Sequence, residues 1–394
     1  MPRASCLLLI LSLAACGRGP TVLPPLADPV ALEVPAPPGA SLPFVAAGED
    51  GIVVSWVEPA DSGHALRFAT WQGSTWSDVG TVAQGRDWFV NWADFPSVVP
   101  MGGQALAAHW LQRSGPGKYS YDVMLTQSAD GGATWSDAAP PHGDGTETEH
   151  GFVTLFPHQG GMGAVWLDGR RYADTPEGPA TEEMSLRYTV PGAPDAVLDT
   201  RVCDCCQTDV ARTSKGPLVV YRDRSPEEVR DIYVSRLGDG AWSEPRPVHN
   251  DNWTINGCPV NGPQADADRD DVVIAWFTAA RDTAKVQVSF SADAGDTFSP
   301  PLRVDDGDPV GRVDVLLIGE RRALVVWLER RGEGADLRAR VVTESEMGEA
   351  RTIGTTTAQR ASGFPRMARR GSDVVLAWAE SGGIRAASIA LTQR

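Results

Sequence analysis

One short pattern recurs seven times along this chain, and it constrains the fold more than any other feature. Each copy is a run of small or apolar residues ending in an aromatic: Val53-Val54-Ser55-Trp56, Ala107-Ala108-His109-Trp110, Gly163-Ala164-Val165-Trp166, Leu218-Val219-Val220-Tyr221, Val273-Ile274-Ala275-Trp276, Leu324-Val325-Val326-Trp327 and Val375-Leu376-Ala377-Trp378. The aromatics are 54, 56, 55, 55, 51 and 51 residues apart. A near-constant period of this length marks a supersecondary unit that buries its apolar face only by stacking on its neighbours. Within each unit a short strand precedes the aromatic, as in Pro43-Phe44-Val45-Ala46, and a third follows, as in Leu66-Arg67-Phe68-Ala69 or Val286-Gln287-Val288-Ser289. No stretch of similar length has helical periodicity, so each unit reads as about four strands. Seven such units predict an all-β, seven-bladed β-propeller.

The ends of the chain supply the closure. After Ile384-Arg385-Ala386-Ala387 there is no room for a fourth strand, whereas Val30-Ala31-Leu32-Glu33-Val34 precedes the first unit without a partner. Residues 30–34 are therefore expected to pair with residues 384–389, closing the ring and removing its exposed edges. The propeller is expected to run over residues 30–394 as a single domain.

The start of the chain reads differently. Arg3 precedes an apolar stretch from Leu7 to Leu13, followed by Leu13-Ala14-Ala15-Cys16. This is the pattern of a secretory signal peptide over residues 1–15, too short to span a bilayer. Leu-Ala-Ala-Cys resembles the lipobox of bacterial lipoproteins, which implies that Cys16 carries the lipid and that 379 of the 394 residues remain after cleavage. Gly17 at the next position resembles lipoproteins passed to the outer membrane, so the expected location is the bacterial cell envelope. Residues 16–29, with Pro20, Pro24 and Pro25, read as a stiff lipidated tether. The net charge of −16 argues against nucleic acid and against a polybasic membrane contact, since both need clustered cations. The membrane is expected to be met through the lipid alone, by a monomer.

Two turns are nearly identical: Ser128-Ala129-Asp130-Gly131-Gly132-Ala133-Thr134-Trp135 and Ser291-Ala292-Asp293-Ala294-Gly295-Asp296-Thr297-Phe298. In each, the Asp can accept hydrogen bonds from the turn backbone, the Gly supplies an unusual φ and the aromatic plugs the gap between sheets. These turns resemble the Asp boxes (BNR repeats) of the sialidase superfamily, carried here by Ser128, Asp130, Gly132, Thr134 and Trp135 and by Ser291, Asp293, Gly295, Thr297 and Phe298. The resemblance implies a propeller, with a six-bladed ring of the sialidase type as the alternative to seven. It also implies that these turns lie on the face opposite the functional site. Such propellers include glycosidases as well as binding and scaffold proteins, so the fold leaves the activity open.

The other face is formed by the loops entering each first strand and by those between second and third strands. The latter carry Arg113, Arg170, Arg171, Arg222, Arg224, Arg281, Arg330 and Arg331, in a chain with 51 acidic and 35 basic residues. One reading is an anion site, because a guanidinium fork matches a carboxylate, as the arginine cluster of sialidases does. The other is local pairing with Asp168, Asp223, Asp282 and Glu329. The entry loops supply Asn91, Trp92, Asp94, Glu149, His150, Asp209, Asn261, Arg312 and Asp314. Asp94 or Glu149 could act as acid or base. Against a sialidase, there is no Phe/Tyr-Arg-Ile-Pro segment, and none of the six tyrosines falls in these loops.

Four cysteines remain in the mature region. Cys203 precedes Tyr221, and Cys258 precedes Trp276, by 18 residues each, so they occupy equivalent places in adjacent units. In an oxidising compartment this predicts a Cys203–Cys258 disulfide, with Cys205 and Cys206 as a candidate vicinal pair. The alternative is a soft-metal or redox site with His150 nearby. His64, His109, His142, His158 and His249 have no ligand spacing. The leading expectation is a non-catalytic, lipid-anchored propeller that binds a carbohydrate or protein ligand through Asp94, Glu149, His150, Arg170, Arg222, Arg281 or Arg330, without a cofactor. The alternative is an exo-α-sialidase-type glycoside hydrolase.

Overall fold

In the computed structural model of the chain, the residues described are 23, 25–175, 178–238 and 240–391. The stretch expected to be a signal peptide, residues 1–15, and Cys16 lie outside them. Seven antiparallel sheets follow one another in sequence, each starting with an innermost strand: Ser41–Ala47, Ser97–Gly102, His150–His158, Asp209–Thr213, Gln264–Asp268, Pro309–Gly319 and Arg366–Arg370. The ring is thus seven-bladed, and the six-bladed alternative is excluded. Closure follows the expected route: Val30, Ala31 and Leu32 pair with Ser388, Ala387 and Ala386, making Val30–Leu32 the outermost strand of the last blade. The strand is shorter than the expected 30–34 and ends before Glu33.

The seven repeat aromatics occupy the second strand of each blade and are all buried, with Trp56, Trp166, Tyr221, Trp276 and Trp327 fully so. Each packs back onto the preceding blade. Trp276 lies with Leu218, Val220, Ile232 and Val234 of blade four, and Trp166 with Ala107, Leu111 and Val123 of blade two. A buried indole N–H needs an acceptor. Trp56 donates to Glu58 at 2.8 Å, Trp166 to Asp168 at 2.9 Å and Trp327 to Glu329 at 2.6 Å, each an acid two residues further along the strand.

The two Ser-x-Asp-x-Gly-x-Thr-aromatic turns follow the third strands of blades two and five, blade two having only three strands, and have the same internal bonding. Asp130 accepts from the backbone N–H and hydroxyl of Thr134 at 2.9 and 2.6 Å, and Asp293 from those of Thr297 at 2.8 and 2.6 Å. Ser128 and Ser291 donate to these carboxylates. The stretch read as a tether is partly docked, since Leu26 is buried against blade six and Asp28 pairs with Arg351 at 2.6 Å.

The role of the repeat aromatic is testable. Trp276→Ala is expected to lower unfolding free energy by about 3–5 kcal/mol in a denaturant titration. A loss below about 1 kcal/mol would contradict the view that this ring fills the space between blades four and five.

Candidate functional site

The innermost strands surround an axial channel of about 160 Å³, lined by residues of all seven blades including Phe44, Asp94, Gln207, Asp266, Asp314 and Arg366. First strands of neighbouring blades share no β-ladder, so their backbone N–H groups need other acceptors. Carboxylates supply them. Asp94 accepts from Phe152 N at 2.7 Å, Asp209 from Ala265 N at 2.9 Å, Asp266 from Leu317 N at 2.8 Å and Asp314 from Met367 N at 2.7 Å. Each bond joins one blade to the next. Burial pushes the carboxyls up, Asp94 to about 8, Asp314 to about 7 and Asp266 to about 6.

Asp94 is only 1% exposed and belongs to this structural set. Its second oxygen accepts from the Tyr121 hydroxyl at 2.9 Å, and Glu149 accepts from the same hydroxyl at 2.7 Å. One phenolic proton cannot serve two carboxylates at once, so the trio favours holding an extra proton. Burial raises Glu149 to about 7, and the nearby Asp204 adds to the effect. Tyr121 begins the third strand of blade two at its axial-face end, and Tyr119 and Tyr172 lie in the second-to-third-strand loops of blades two and three, so the expectation that no tyrosine falls in these loops is wrong. Tyr121 is fully buried and stacked on Phe89 at 4.0 Å, so its oxygen faces the two acids and not solvent.

His150 is also fully buried and stacks on His142 at 3.9 Å. Its ring nitrogens lie 3.3 Å from Asp122 and 3.4 Å from Asp144. Burial opposes its protonation, but these acids and Asp168 outweigh it and raise the imidazole to about 10. Arg170 joins the same network through a bidentate pair with Asp168 at 2.8 Å and a contact with Asp195 at 3.0 Å. His142 had no ligand spacing in sequence because its partner loops come from other strands.

The expected arginine clamp does not assemble from the residues expected to form it. Arg170 and Arg222 are 3% and 2% exposed. Arg222 donates to the backbone carbonyls of Asn261, Arg230 and Phe277 and lies over Trp253, tying the loops of blades four and five together. Both are consumed by the fold. Arg281 and Arg330 are exposed on the loops of blades five and six, Arg330 beside Asp308 at 3.5 Å.

A different pair of arginines meets on the same face. The Arg312 guanidinium lies 4.8 Å and that of Arg360 6.0 Å from the Trp92 ring, which is itself stacked on Phe364. Arg312 is 5% exposed and donates to the Ser362 hydroxyl and to Gly363 O. Among the described residues no carboxylate lies within 4.0 Å of either guanidinium. Burial, and then the neighbouring Arg360, lower Arg312 to about 10, so it stays charged at neutral pH. Arg312 and Trp92 were legible as entry-loop residues. Arg360 was not, because it sits in a short 3-10 turn at Arg360–Ser362 outside any repeated position.

Neither expected disulfide is present. Cys203, Cys205, Cys206 and Cys258 are all free thiols. The turn at Asp204–Cys205 brings the Cys203 and Cys206 sulfurs to 2.9 Å, while Cys258 is exposed beside Cys205. Equivalent repeat positions gave the right neighbourhood but the wrong partner, because the local turn decides which side chains face each other.

The buried acids make stability depend on pH. An Asp that ionises near 3.8 in the unfolded chain but near 8 when folded holds its proton more tightly in the folded state, so stability falls as pH rises from about 4 to about 8. Asp94→Asn is expected to flatten part of that decline, on the order of a few kcal/mol, in unfolding titrations from pH 4.5 to 8.5. An unchanged slope would show that Asp94 is ionised in the folded protein.

No family model and no curated protein matches this chain. Similar solved structures include a protein of unknown function from Dyadobacter fermentans, at 14% identity and a TM-score of 0.51 over 93% of this chain and 99% of that one. The phage phi92 endosialidase has 11% identity and a TM-score of 0.51 over 93% of this chain and 70% of that one. An ulvan lyase of polysaccharide lyase family 25 has 13% identity and a TM-score of 0.54 over 90% and 95%. At these identities the likeness is one of fold, a propeller shared by a sialidase, a lyase and a protein of unknown function.

Proposed function

We propose that this chain is an exported, lipid-anchored propeller of the bacterial envelope that binds an anionic carbohydrate on its axial face without cleaving it. The observation that carries this reading is the pair Arg312 and Arg360. Both guanidiniums stand over Trp92, one is nearly buried, and neither has a carboxylate counter-ion among the described residues. A buried cation is costly without a partner, and an incoming carboxylate or sulfate would supply one, with the guanidinium fork favouring bidentate contact. That the fold is also used by an endosialidase and an ulvan lyase is consistent with a carbohydrate ligand. Attachment through Cys16 would leave the propeller as a monomer at the membrane surface.

The second reading is a sialidase-type hydrolase, and one observation favours it: Tyr121 donates to Glu149, a pairing of phenol and carboxylate that could activate a nucleophile. The binding reading is preferred because that phenol is fully buried and Arg170 and Arg222 are committed to internal partners.

Titration with a uronate-containing oligosaccharide is expected to give salt-sensitive binding, weakened roughly tenfold or more by Arg360→Ala and unaffected by Arg330→Ala. The neutral counterpart of the same sugar should bind far more weakly, and an aryl sialoside should not be turned over. Equal binding of neutral and charged sugars would remove the anion-site argument. Turnover abolished by Glu149→Gln in a folded protein would put the hydrolase in its place.

A further inference from the structure

The four cysteines lie on the loops that enter blades four and five. The turn at Asp204–Cys205 returns the chain on itself, and the sulfurs of Cys203, Cys205 and Cys206 all lie within 4.8 Å of one another. Each sulfur therefore has two sulfur neighbours, an arrangement that serves a shared ligand better than a pairwise bond. Cys203 and Cys206 are separated by two residues in sequence, a spacing familiar in thiolate metal sites but masked here by the intervening Cys205.

The surroundings carry charge of the right sign. Arg230, 2% exposed, directs its Nη1 at the Cys203 sulfur at 3.4 Å, and Arg222 lies buried in the same loop cluster. Arg230 also pairs through Nη2 with Glu228 at 2.8 Å, and its Nη1 lies 3.6 Å from Asp204 in the same turn. Guanidinium donors offset the excess negative charge of several thiolates on one cation, whereas a neutral disulfide gains little from them. Exposure is graded: Cys203 and Cys206 are buried, Cys205 is half-buried and Cys258 is exposed beside it. That gradient gives an ion a path inward from solvent.

We propose that Cys203, Cys205 and Cys206 form a three-thiolate site for copper(I), with Cys258 at its mouth as the entry ligand. Thiolates select soft cations. Three clustered sulfurs suit a three-coordinate ion, whereas tetrahedral zinc would need a fourth ligand beyond these three.

The test uses the full chain purified in detergent under anaerobic, reducing conditions and titrated separately with copper(I), against a coloured chelator, and with zinc(II). The expected result is one copper(I) per chain retained through desalting, with only sulfur in its first shell by X-ray absorption. Cys205→Ser should lower copper affinity by more than about 100-fold, beyond the effect of altering a supporting group. Because Cys205 is half-buried, folding of that variant is checked by thermal unfolding, and Cys258→Ser should keep the affinity but slow the loading. No retained copper, or tighter binding of zinc than of copper(I), would overturn the proposal. So would a peptide map of the protein taken from the envelope with Cys203 joined to Cys206 and Cys205 to Cys258.

Discussion

The structure depends on a set of carboxylate-to-amide hydrogen bonds around the axis. Sheets in a propeller satisfy their own backbone groups internally, but the innermost strand of each blade turns an unpaired edge toward the channel. Asp94, Asp209, Asp266 and Asp314 each accept a backbone N–H of the following blade, joining blades two to three, four to five, five to six and six to seven. Farther out the repeat aromatics do the same work by packing back onto the preceding blade. Inner polar contacts fix the relative height of the blades, and outer apolar contacts fix their spacing.

This division limits what the axial face can offer chemically. Carboxylates that bridge blades, buried and bonded to backbone N–H groups, are poorly placed to serve as solvent-facing acids or bases. Arg170 and Arg222 are similarly spent, one in a buried network with His150 and the other on backbone carbonyls. Arg312 and Arg360, which have no carboxylate within 4.0 Å among the described residues, stand together beside the Trp92 ring on this face. A site of uncompensated cations and an indole face fits recognition of a charged ligand better than bond cleavage.

The ring was legible because its cause is periodic. Seven aromatics at a near-constant interval report a stacking requirement that acts once per blade, and the unpaired strand at Val30 reports the closure. The site was legible only in part, because it arises where the repeat is broken. Arg170 and Arg281 stand in corresponding 3-10 turns of blades three and five, yet one is buried in a bidentate pair with Asp168 and the other is exposed in a left-handed conformation. Loop length and path decide between those fates, and neither is periodic. The tyrosine at position 121 was missed for the same reason: it is a strand residue by pattern, and only the approach of Asp94 and Glu149 from two other loops gives it polar partners. The cysteine pairing failed at the level of a single turn, whose geometry outweighs the equivalence of repeat positions.

The central claim is that an anionic carbohydrate is held between Arg312, Arg360 and Trp92, and a crystal structure with a uronate-containing oligosaccharide tests it most directly. The account predicts a sugar carboxylate within hydrogen-bonding distance of the Arg360 and Arg312 guanidiniums beside Trp92. Ligand density on the opposite face, at the Ser128–Trp135 or Ser291–Phe298 turns, or beside Tyr121 and Glu149 with the glycosidic bond cleaved, would contradict it.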